Sequence, residues 1–82
     1  RQNFPNPFHS TTRITYELPG PSPVEFSVFD VLGRKVLSYD FDNQAAGEHN
    51  MYIDGLYLTS GIYYYRMKTE FGIQTKKMVL VR

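Results

Sequence analysis

Two histidines, His9 and His49, are the only imidazoles in the chain. A histidine used in catalysis needs a nucleophile and an orienting group within reach. Neither has a partner at H-x-x-x-H, H-x-H or H-E-x-x-H spacing. Both fall beside loop or strand-start positions and read as exposed or half-exposed residues. Ser60-Gly61 lacks the flanking residues of a G-x-S-x-G nucleophile elbow. Asp30, Asp40, Asp42 and Asp54 lie on different elements. Asp40 and Asp42 could offer carboxylates to one cation, but a calcium site wants several more oxygens, so they read as solvated acids. There is no cysteine, hence no thiolate metal site and no disulfide brace. No catalytic residue, metal or cofactor is expected.

Two further stretches could bind rather than react. Tyr63-Tyr64-Tyr65 suggests a sugar-stacking platform, but successive rings on a strand point to opposite faces. That leaves Tyr64, with Tyr52 or Tyr57, as surface candidates. The other tyrosines suit a pleated core face. Lys76-Lys77-Met78-Val79-Leu80-Val81-Arg82 is the most distinctive stretch. It reads as an ordinary last strand whose lysines guard against edge pairing. It reads equally well as a recognition tag, because an extended strand is easily read through backbone pairing plus alternate side-chain pockets.

The elements that must position these residues follow period-2 patterns throughout. Residues 1–11 form an extended lead-in stiffened by Pro5 and Pro7, with Phe4 and Phe8 as anchors. Thr12 to Leu18 predicts a half-buried strand with Ile14, Tyr16 and Leu18 on one face. Pro19-Gly20-Pro21-Ser22-Pro23 predicts a turn. Val24 to Val31 predicts the next strand, with Phe29 and Val31 buried near its end. A tight turn at Asp30 to Arg34 joins it to Lys35–Phe41 as a hairpin, with Gly33 supplying positive φ. Asp42 to Glu48 reads as a loop and His49 to Asp54 as a short strand. Leu56 to Ser60 is a connection whose leucines pack inward. Gly61 to Thr69 is a strong strand with Tyr63, Tyr65 and Met67 on one face. Ile73 to Val81 closes the chain.

About seven short strands in 82 residues predict one all-β domain, an immunoglobulin-like antiparallel sandwich. Seven Tyr and six Phe stand in for the absent disulfides, each buried ring removing roughly 150–250 Å² from water. A net charge of +1 with mixed signs gives no basic footprint for nucleic acid. No apolar run approaches the length of a membrane span, and the first residues lack the apolar core of a signal peptide. A monomer is expected.

The chain resembles, nearly end to end, the type A C-terminal sorting domain of the bacterial type IX secretion system. Asn3-Phe4-Pro5-Asn6-Pro7-Phe8 is similar to the opening N-[FY]-P-N-P-F pattern. Thr12-Arg13-Ile14-Thr15-Tyr16-Glu17-Leu18-Pro19 resembles the T-x-I-x-[FY]-x-L-P strand. Phe29 to Val36 resembles the [YF]-D-x-x-G-[RK]-x-V hairpin, and Ala46-Gly47-Glu48-His49 the A-G-x-H turn. Thr59 to Arg66 resembles [AS]-S-G-[IV]-Y-x-Y-R, and Lys77 to Arg82 the closing K-[ML]-[VI]-[LV] segment. The specificity lies in six motifs in order. His9-Ser10 replaces the usual Asn-Pro, and Ile53 stands where a Trp often precedes Asp-Gly. The immunoglobulin-like domain of flagellar hook-capping proteins shares most of these motifs.

The resemblance implies a secretion signal, not an enzyme. The parent protein crosses the periplasm. Its terminal domain is recognised by the outer-membrane translocon and a shuttle protein, and a sortase usually removes it upstream of Asn3. The parent then resides in the outer membrane, on the cell surface or outside the cell. Recognition is carried onto Gly61 and Tyr63 and onto Lys76, Lys77, Met78, Val79, Leu80, Val81 and Arg82. A structural module of a surface or hook-cap protein, and a carbohydrate-binding module using Tyr52, Tyr57 or Tyr64, are the competing readings.

Overall fold

Alternation along Thr11–Leu18 buries Thr12, Ile14, Tyr16 and Leu18 and turns Arg13 and Glu17 to solvent, as a strand with one face on a core must. The computed structural model describes residues 10–81. Their regular elements are all strands: β1 (Thr11–Leu18), β2 (Ser22–Phe29), β3 (Lys35–Gln44), β4 (Gly47–Asp54), β5 (Gly61–Thr69) and β6 (Gly72–Leu80). They pair into two antiparallel sheets, β1-β4 and β3-β2-β5-β6. The expected all-β sandwich is found, with six strands among the described residues. Hairpins join β2 to β3 and β5 to β6, whereas the chain changes sheet after β1, β3 and β4. That is the path of the B, E and C′, C, F, G strands of immunoglobulin-like sandwiches.

The sheets meet through aromatic edges. Phe26, fully buried in β2, receives the Tyr16 ring from the other sheet at 5.3 Å and 62° and the Phe41 ring from β3 at 6.3 Å and 85°. Edge-to-face geometry of this kind adds about 0.5–1.5 kcal/mol per pair beyond area burial. Val24, Val28, Met51, Ile53, Tyr65 and Met78 are among the core residues around it.

Several boundaries differ from the sequence reading. The lead-in anchors Phe4 and Phe8 lie outside the described residues, and Thr11 belongs to β1 rather than to the lead-in. Ser22 and Pro23 open β2 instead of ending a turn. Pro23 is tolerated because the β2–β3 register shifts between Ser22 and Val24, and pairing with β5 begins only at Glu25; its missing N–H therefore breaks no ladder. The β3 strand runs on to Gln44, which shortens the expected Asp42–Glu48 loop. Val31 was expected inside but is 67% exposed. The cause is Asp30, whose Oδ1 accepts the amides of Leu32 and Arg34, each at 2.9 Å, while its carbonyl accepts Gly33 N–H at 3.0 Å. These bonds, with φ of +83° at Gly33, stop β2 at Phe29 and place Val31 and Leu32 in the turn. The Arg34 amide, then the Arg34 side chain and the Leu32 amide, hold the Asp30 carboxyl below the usual carboxylate range against the opposing effect of burial. In the β4–β5 connection Leu58 packs on the core, but Leu56 stays exposed.

Ser22 ties the start of β2 to the β5–β6 turn. Its buried Oγ accepts Glu70 N–H at 2.9 Å and donates to the Pro23 carbonyl at 2.7 Å. Replacing Ser22 by Ala strands the Glu70 amide and is expected to cost about 1–3 kcal/mol in urea unfolding. Unchanged stability would show that this bond does not hold the turn.

Candidate functional site

β6 closes the described fold at one side of the larger sheet, paired to β5 from Gly61↔Leu80 through Tyr63↔Met78 to Thr69↔Gly72. Period 2 divides its residues. Met78 is 0% and Leu80 1% exposed, so both are core side chains. Lys76 shares their face and is half-buried opposite Tyr65. Lys77 is exposed and Val79 half-buried on the outer face, opposite Tyr64 and Ile62. Val81, just past the strand, is exposed, and Arg82 lies outside the described residues.

Gly61 opens β5 with φ of +154°, a conformation costly for a residue with Cβ. Tyr63 is buried, and its hydroxyl donates to the Thr59 carbonyl at 2.7 Å. This is a tyrosine corner, a hydrogen bond from the strand start back to the incoming loop. Burial pushes the Tyr65 hydroxyl up to about 12 and also raises that of Tyr16.

The residues of the catalytic and sugar-binding readings do not converge. The His49 ring stacks on Tyr16 at 5.5 Å and bonds the Ala45 carbonyl through Nε2 at 2.7 Å; His9 lies outside the described residues. Asp30 and Asp54 accept amides of their own turns. Among the described residues no three of His, Cys, Asp or Glu are grouped to hold a metal. Tyr57 is 93% exposed in the β4–β5 connection, Tyr52 faces out from the smaller sheet and Tyr64 from the larger, so the three rings share no platform. No helix among the described residues is long and apolar enough to cross a membrane.

Sequence reasoning missed the neighbours of β6. Phe29, Tyr64 and Lys77 form one cross-strand row, and Ser27, Arg66 and Thr75 the next. The Arg66 guanidinium sits 5.1 Å from the centre of the Phe29 ring. The alternation of β5 pointed to Tyr64 and Arg66, but nothing in the sequence sets β2 beside them.

The fold and this layout define a small antiparallel sandwich whose last described strand is anchored by one face and displayed by the other. The family model of the secretion system C-terminal sorting domain matches residues 2–81, and the chain belongs to that family. It is a C-terminal sorting signal for type IX secretion, which implies engagement with that system and export to the outer membrane or cell surface. No curated protein and no solved structure matches the chain.

Tyr63→Phe removes the corner bond together with the hydroxyl's 3.4 Å contact with Thr59 Oγ1 and is expected to cost about 1 kcal/mol in denaturant unfolding; no loss would show these bonds to be incidental. A raised folded-state value for Tyr65 leaves its contribution intact below the unfolded value of 10.0. As pH rises from 10.0 to about 12, the unfolded state ionises first and stability falls. Tyr65→Phe should flatten this alkaline decline in a series of thermal melts. An unaltered slope would contradict the assignment.

Proposed function

We infer that β6 is the element by which the type IX machinery reads this chain. One observation supports the reading most directly: burial of Met78 and Leu80 fixes β6 in the sheet while Lys77 and Val79 point outward. Lys76, Val81 and Arg82 complete the recognised segment. Gly61 and Tyr63 serve it indirectly, since they set the start of the strand that β6 pairs with. The readers are the outer-membrane translocon and its shuttle protein, met after transit of the periplasm. A sortase then usually removes the domain by a cut upstream of Asn3, in the linker. On this reading residues 1–82 act as one monomeric, non-catalytic unit, and any chemistry belongs to the cargo.

A strand anchored in this way is read through side chains on one face and through backbone at the sheet margin. Removing Lys77 to Arg82 tests the segment crudely, because it also deletes two core residues. Lys77→Glu with Val79→Gln changes only the outer face. A cargo carrying this pair of substitutions is expected to accumulate in the periplasm while its terminal domain unfolds at the wild-type midpoint. Normal export of that variant would refute the reading.

A further inference from the structure

The outer face beside β6 carries more than the strand itself requires. Arg66 lies over Phe29 at 5.1 Å, which fixes a planar group whose donors match a carboxylate. Lys77 is one strand away and one row along, next to Tyr64, which is 39% exposed. Neither Arg66 nor Lys77 has a carboxylate partner among the described residues. The acids of this face are Glu25, opposite Lys68, and Asp40, opposite Glu25 on β3; Asp30, which lines the same cleft as Phe29, Tyr64 and Arg66, is already held by Arg34. The outer face of the β1-β4 sheet differs, since Arg13 there is accompanied by Glu17, Glu48 and Asp54. Ile62 and Val79, paired across β5 and β6, border the cationic groups with aliphatic surface.

We propose that this face docks an acidic polypeptide segment of a partner protein. Arg66 and Lys77 take its carboxylate, and Tyr64 and Ile62 take an adjoining apolar side chain. Charge complementarity argues for acid on the partner. The mixture of aromatic rings, a stacked arginine and aliphatics is that of a protein interface centre. A lipid surface is instead attracted by clusters of four to eight cations; the four here, Lys35, Arg66, Lys68 and Lys77, are spread over three strands and interleaved with Glu25 and Asp40. The inference rests on the sorting function and deepens it: the signal is a surface assembled from β2, β5 and β6, so it exists only in the folded chain.

The test is export of a full-length cargo ending in this chain. Arg66→Glu should lower export by about tenfold or more, with an unchanged unfolding midpoint, and Arg66→Gln should fall between it and wild type. Arg13→Glu makes the same charge change on the other sheet and should export normally. Wild-type export of Arg66→Glu would overturn the proposal. So would an equal loss in Arg13→Glu, which would mark a net-charge effect. So would binding of the wild-type chain to vesicles of anionic phospholipid that Arg66→Glu abolishes, which would assign the face to a membrane. If Arg66→Glu is destabilised, Arg66→Gln decides by the same criterion: export at wild-type level refutes the proposal. Normal export of the Arg66 variants alongside failed export of the Lys77/Val79 variant would remove this proposal and leave the β6 reading standing. Normal export of both would remove both.

Discussion

A strand cannot bury one side chain without turning the next one outward, and this constraint organises the whole molecule. In β6 it buries Met78 and Leu80 and displays Lys77 and Val79. In β5 it sends Tyr63, Tyr65 and Met67 to the core and leaves Tyr64 on the surface beside Arg66. The inner row builds the sandwich and the outer row builds the candidate interface. Neither can be altered by a register slip without destroying the other, because a shift of one residue exchanges the two faces.

The sandwich is small and has no disulfide, so its inner rows must be well filled. Phe26 is where they meet, with Tyr16 closing from the smaller sheet and Phe41 from β3. Local bonds do the remaining positioning. Asp30 stops β2 and starts the β2–β3 turn, Ser22 holds the β5–β6 turn from the far end of β2, and the Tyr63 hydroxyl fixes the entry to β5. The last of these sets the frame in which β6 pairs, so the tyrosine corner bears on the displayed strand without being part of its surface.

Much of this was legible in the residues. The residue pattern predicts Gly61 to Thr69 with the observed limits, and alternation alone predicts the inward sets of Thr12–Leu18 and of Tyr63, Tyr65 and Met67. The errors fall where alternation is interrupted. Pro23 reads as a breaker unless the register shift beside it is known, and Val31 reads as core unless the Asp30 turn is known. The candidate site was half legible. The sequence reading singles out Lys76 to Arg82 as one stretch without separating core Met78 and Leu80 from outward Lys77 and Val79, and it does not place Phe29 beside Tyr64 and Arg66. That juxtaposition depends on β2 pairing with β5 across two sheet crossings, and no local pattern specifies which strands pair at long range.

Type IX sorting by a strand anchored in this way differs physically from sorting by a flexible terminal tag. In the first case β6 opens only when the sandwich opens; in the second it detaches while the rest stays folded. Native-state amide hydrogen exchange separates the two. With β6 anchored, the β6 amides from Lys76 to Leu80 whose bonds pair with β5 are expected to exchange with the same free energy as the protected amides of Phe26 and Val28. Exchange of those β6 amides by a lower-energy local opening, with Phe26 and Val28 still protected, would contradict an anchored β6.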